Sequence, residues 1–117
     1  MATGNIFQAI PQDIPQELFE VILEKPGVTI ERIISKGHTT PKGAWYDQNN
    51  DEWVLLLQGE ARVVFQGESE PYTLAVGDYL YIPAHVKHRV DWTSRITETV
   101  WLAIHIVVDS LEDSLLK

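Results

Sequence analysis

The sequence predicts an all-β domain, an antiparallel barrel or sandwich, with one short helix near its N-terminus. Three observations carry this. Many short runs alternate apolar and polar residues, turn signals separate them at close spacing, and only one segment, ahead of Pro26, has helical apolar spacing.

The helical segment lies within "NIFQAIPQDIPQELFEVILEKPG". Asp13 suits a cap, Pro15 suits a first turn, and Leu18, Phe19, Ile22 and Leu23 fall on one stripe that Pro26 and Gly27 end. "VTIERIISKG" follows as a strand, with Ile30, Arg32 and Ile34 on one face and Glu31, Ile33 and Ser35 on the other. "GHTTPKG" is loop. "EWVLLLQG" and "EARVVFQG" are two strands meeting at Gly59, read as a hairpin. Short strands broken at Gly77-Asp78 and Pro83 fill "ESEPYTLAVGDYLYIPAHVKHRVDW". "TETVWLAIHIVV" is a long apolar strand, and "DSLEDSLLK" is a polar tail with room for a last helical turn. The expected organisation is a helical arm over residues 1–27, a barrel over 28–109 and a tail over 110–117. No internal repeat or low-complexity segment occurs.

Size and composition bound the function. A chain of 117 residues is expected to form one domain with its own core. The net charge of −8 disfavours phosphate backbones and anionic membranes, which need a basic face, so neither nucleic acid nor membrane is an expected partner. Without cysteine there is no disulfide or thiolate metal site, and any metal must use imidazole, carboxylate, amide or phenol donors. "MATGNIFQAI" lacks the charged-then-apolar pattern of a signal peptide, and no apolar run is long enough to span a bilayer. A cytoplasmic protein is the default expectation.

Two motifs carry more. Glu52 is followed by six residues and then Gly59; Gly77 is followed by five residues, Pro83 and then His88. In these positions the chain resembles the cupin superfamily, small jelly-roll barrels of the conserved-barrel type, whose motifs run G-x5-H-x-H-x3or4-E-x6-G and G-x5-P-x-G-x2-H-x3-N. The resemblance covers residues 28–107 and implies a jelly-roll barrel. It implies, for other members, a metal held by three histidines and a glutamate.

This sequence departs from that pattern. The first-motif histidines are absent; a three-residue spacer puts Tyr46 and Gln48 in their places, and a four-residue spacer puts Trp45 and Asp47 there. The second glycine of motif two is His85, and the closing asparagine is Trp92. Only Glu52 and His88 carry over directly.

Strand parity then gathers a site. Glu52, Val54 and Leu56 share one face of their strand, and Tyr46 and Gln48 share a face of the preceding segment. The candidate metal ligands are Gln48, Glu52 and His88, with Asp47 in the alternative register. An oxygen-rich set of this kind binds a divalent ion (Zn, Ni, Mn or Fe) more weakly than three imidazoles would. Glu52 and Tyr46 are candidate catalytic residues for proton transfer. His105 and Trp101, at matching parity in "WLAIHIVV", are candidate pocket residues for a bound cofactor or small ligand. His38 and His85 are expected on loops. The resemblance admits a metal-dependent dioxygenase, isomerase, lyase or decarboxylase, and equally a metal-free binding module or degenerate barrel without turnover. Finally, the Trp53, Leu55 and Leu57 face is as apolar as the inward one, which points to a homodimer.

Overall fold

The computed structural model of the protein describes residues 1–108. Eight strands follow in order: β1 (Leu18–Lys25), β2 (Val28–Ser35), β3 (Asn50–Gln58), β4 (Ala61–Phe65), β5 (Tyr72–Leu74), β6 (Tyr79–Ile82), β7 (His88–Thr93) and β8 (Thr99–Val107). They form two antiparallel sheets, a five-stranded one in the order β1-β2-β8-β3-β6 and a three-stranded one in the order β5-β4-β7. The inner faces meet in a core of Val54, Leu56, Ala61, Val63, Leu74, Ile82 and Trp101. Along β3 the expected alternation holds, with Glu52, Val54 and Leu56 buried and Trp53, Leu55 and Leu57 half-buried.

The expected N-terminal helix is a strand. Leu18, Phe19, Ile22 and Leu23 lie in β1, which pairs with β2 from Leu18 opposite Ile34 to Lys25 opposite Val28. A register shift between Val21 and Leu23 interrupts the pairing. An inserted residue of this kind breaks the period-two pattern that marks a strand, and the remaining spacing imitates a helical stripe. Pro26 and Gly27 are not a helix stop; they form the two-residue hairpin turn, with Gly27 at φ 85°. The stretch before residue 28 thus joins the large sheet. Residues further upstream strap its outer face, where the buried Arg32 guanidinium donates to the carbonyls of Ile6 and Gln8 and pairs with Glu20 at 2.8 Å.

The expected hairpin at Gly59 is a crossover. β3 pairs with β6 and β8, whereas β4 pairs with β5 and β7, so Gly59 carries the chain from one sheet to the other. Gly59 sits at φ 88°, and a Cβ there would overlap Thr99, so both conformation and space require glycine. The polar segment "DSLEDSLLK", with its expected helical turn, lies outside the described residues. Among the described residues no helix is long and apolar enough to cross a membrane.

Candidate functional site

Strand register brings four titratable side chains to one end of the inner space. Glu52 on β3 lies opposite His105 on β8, and the backbone of His88, at the start of β7, pairs with that of Tyr46. Glu31 enters from β2, whose partner is also β8. All of them line one cavity of about 90 Å³ between the sheets, together with Gln48 and Trp101.

Glu52 and His88 are both buried, 8% and 5% exposed. Glu52 stands between two imidazoles: Oε1 is 3.6 Å from His88 Nε2, and Oε2 is 3.6 Å from His105 Nε2. His105 Nε2 in turn lies 2.8 Å from Glu31 Oε1, where it donates. The result is a line His88–Glu52–His105–Glu31 along the cavity wall. His88 Nδ1 is 2.9 Å from the Val86 carbonyl, an acceptor only, so Nδ1 carries a proton and Nε2 is the atom turned to Glu52. Burial by itself lowers the His88 pKa, but the Glu52 carboxylate and the Val86 carbonyl outweigh it, and the net shift is upward from 6.5. The ring is flanked by Tyr46, stacked at 5.5 Å, and by Phe65 at 5.9 Å. Burial, aided by the Glu17 and Glu52 carboxylates and opposed by a hydrogen bond with Thr40, raises the Tyr46 pKa above 10.0. Tyr46 is therefore a neutral hydrogen-bond donor rather than a base.

The register between the two motif-one alternatives is decided by geometry. Tyr46 and Gln48 line the cavity, and Asp47 does not. Its carboxylate turns outward to His85, with Oδ1 2.9 Å from Nδ1, so Asp47 is corrected from candidate ligand to rim residue. His85 stands where the second motif carries glycine, and it adopts φ 65°, the left-handed conformation that glycine tolerates best. Its backbone N–H donates to the Gln48 carbonyl, tying the two motifs together at the rim. His105 and Trp101 lie in the cavity wall as expected.

Sequence reasoning did not single out Glu31. Its signal was available: it shares strand parity with Ile33 and Ser35, and a carboxylate on the inward face of such a strand requires a partner. Glu17, also in the wall and bonded to Ser35 Oγ, precedes β1 and gave no periodic signal.

Two buried side-chain atoms of residues that line this wall, Gln48 Oε1 and Trp101 Nε1, have no hydrogen-bond partner among the described residues. The first bears on a metal. His88 Nε2, Glu52 Oε1 and Gln48 Oε1 are donors that suit a divalent ion, and the orphaned amide oxygen fits that use. Among the described residues no three of His, Cys, Asp and Glu converge on an ion position, so a third ligand here would have to be the neutral amide, a weak donor.

The comparisons agree with this barrel. The cupin-domain family profile matches residues 32–105, most of the chain. The chain belongs to the cupin family. A Ralstonia eutropha JMP134 protein described as a candidate mannose-6-phosphate isomerase has 44% identity and a TM-score of 0.90, over 92% of this chain and 100% of that one. A cupin superfamily protein of Desulfitobacterium hafniense DCB-2 superposes with a TM-score of 0.69 at 23% identity, over 85% and 84% of the two chains. An RmlC-like cupin of Desulfovibrio desulfuricans gives 0.71 at 20%, over 92% and 99%. The last two likenesses concern the fold alone. No curated protein matches the chain significantly.

Proposed function

We propose that the cupin cavity binds a small organic molecule and moves protons on it, with Glu52 as the base. The observation that carries this is the placement of Glu52. A buried carboxylate flanked by two imidazoles and facing a cavity is placed to take a proton from a molecule bound there. Isomerisation of an α-hydroxy carbonyl compound needs little more. Glu52 takes a proton from the carbon that bears the hydroxyl, the C–H electron pair forms the C=C bond of an enediol as the carbonyl oxygen takes a proton from His88, and the other hydroxyl then returns a proton to His88 while Glu52 delivers its own to the neighbouring carbon. Tyr46, neutral at physiological pH, and protonated His88 stabilise the charge on oxygen. The candidate isomerase assignment of the Ralstonia protein supports the reaction class.

A divalent ion would be an alternative use of the same groups, held by His88, Glu52 and Gln48 in place of the arrangement with protonated His88 and free Glu52. When bound, it would polarise a substrate oxygen as a Lewis acid. Metal occupancy requires His88 without its Nε2 proton, so affinity falls as pH drops through the His88 titration. Elemental analysis after incubation with Zn, Ni, Mn or Fe should find metal in the wild type and in His38→Ala and little in His88→Ala. Equal content in wild type and His88→Ala removes the ion from the proposal. The proton-transfer reading is tested separately. Solvent deuterium should enter the α-carbon of small hydroxy ketones, followed by NMR, and Glu52→Gln should slow it by about two orders of magnitude or more. No exchange with any hydroxy ketone leaves a binding cavity without turnover.

We also propose that the chain pairs with a second copy through β1. This edge strand exposes Val21, Ile22 and Leu23, each 46–58% accessible, along with unpaired backbone groups that invite another strand. Sedimentation should show a dimer at micromolar concentration and a monomer for Val21→Glu/Leu23→Glu; a wild-type monomer refutes it.

A further inference from the structure

The cavity that the proposed function uses also carries information about which molecules it admits. Its wall holds three carboxylates, Glu17, Glu31 and Glu52, against two imidazoles, and among the described residues no lysine or arginine lines it. Phosphate groups are held by Arg or Lys side chains or by clustered backbone N–H donors. Nothing of the first kind is in this wall. Three carboxylates exceed even the charge of one bound divalent ion, and the chain as a whole carries −8. An anionic ligand would meet like charge both on approach and at the end of it.

The two orphaned atoms point the same way. Trp101 is 4% exposed, and its Nε1–H asks for an acceptor; Gln48 Oε1 asks for a donor. A phosphate group itself offers Gln48 no donor when ionised, so it is a ligand's hydroxyl and carbonyl groups that match these two atoms. A hydroxyl serves either atom, and a carbonyl serves Trp101. Size narrows the choice again. A cavity of about 150 Å³ takes a benzene molecule, and this one is about 90 Å³. The inner part accepts a group of a few heavy atoms, and a phosphorylated hexose would have to leave its remainder in the open mouth.

Resting on the reading of the cavity as a ligand site, we propose that its ligand is a small uncharged hydroxy-carbonyl compound of about three carbons, and that the site rejects phosphorylated sugars. Trp101 Nε1–H and Gln48 Oε1 are the specificity contacts, and the three carboxylates supply the rejection. The candidate assignment of the Ralstonia protein to a sugar phosphate would then not extend to this chain.

The test compares dihydroxyacetone, dihydroxyacetone phosphate and mannose 6-phosphate on the full chain, with and without added Zn. Calorimetry gives affinity, and the Trp101 indole N–H resonance, assigned through Trp101→Phe, reports the contact. The expected result is a shift of that resonance by dihydroxyacetone and binding at least about ten-fold tighter than for either phosphate ester. Glu17→Gln should narrow the gap by weakening the repulsion. Equal or tighter binding of a phosphate ester overturns the selectivity, yet leaves the cavity as a ligand site with a different occupant. Failure of all three to bind overturns the inference, while the deuterium exchange and elemental analysis judge the proposed function on their own.

Discussion

Two histidine–carboxylate contacts lie close together in this chain and teach opposite lessons about distance. His85 and Asp47 are 2.9 Å apart, with side chains 65% and 41% exposed. His88 and Glu52 are 3.6 Å apart, with side chains 7% and 10% exposed. The shorter contact is expected to be the weaker one. Water screens the rim pair and solvates either partner if the other is lost. The inner pair has little water to fall back on, so its charges depend on each other and on His105 and Glu31. Environment, more than separation, decides which pair matters to stability and chemistry.

The largest expected effect comes from removing the centre of the inner line. Glu52→Ala would leave the buried His88 and the half-buried His105 without the carboxylate between them, and should destabilise the protein by about 3 kcal/mol in urea unfolding. A loss below about 0.5 kcal/mol, typical of an exposed site, would abolish the distinction between inner and rim pairs.

Next comes the far end of the line. Glu31→Ala removes the acceptor 2.8 Å from His105 and should cost roughly 1–3 kcal/mol, the usual range for a buried polar group left unpaired. Glu31→Gln, which keeps an acceptor oxygen, should cost less. If both variants match wild type, His105 has solvent enough to be indifferent.

The inner pair should also write itself into the pH dependence of the metal-free protein. His88 has its folded pKa raised above 6.5. A group of this kind binds its proton more tightly when folded, so its stabilisation is full below pH 6.5 and is lost as pH rises through the folded value. Unfolding free energy should therefore contain a component that declines with rising pH above 6.5 and is missing in His88→Asn. NMR titration of the His88 ring placing its pKa at or under 6.5 would contradict the assignment.

The smallest effects belong to the rim. Asp47→Asn should change stability by no more than about 0.5 kcal/mol. His85 gives a sharper comparison because its backbone is left-handed. His85→Gly should be more stable than His85→Ala by about 1 kcal/mol, since only glycine occupies that conformation without steric cost. Equal stability of the two would mean that the turn relaxes, and that the rim pair rather than the backbone holds it.

Much of the inner site was legible because strands have period two. Once Glu52 is placed at the start of an alternating strand, Val54 and Leu56 must share its face, and the resemblance to the second cupin motif implies that His88 lies beside it. Glu31 was harder to see, since its partner His105 lies 74 positions away and only the β2–β8 pairing brings them together. Asp47 and Gln48 were adjacent alternatives of comparable chemistry, and one residue of register separates the cavity from the rim. The β1 segment misled for a local reason: a bulge disguises a strand, and a Pro-Gly turn resembles a helix stop.

The sequence by itself determined the antiparallel strand content and the inward face of β3, because side-chain alternation is a property of the chain alone, and its resemblance to the cupin motifs implied the meeting of Glu52 with His88. Tertiary structure decided that β1 is an edge strand, that Gly59 is a crossover between sheets, that Asp47 faces solvent, and that His105 and Glu31 complete the line begun by His88. Each of these depends on which strand lies beside which, and strand neighbours are fixed by packing two sheets around one core, across separations that local patterns do not encode.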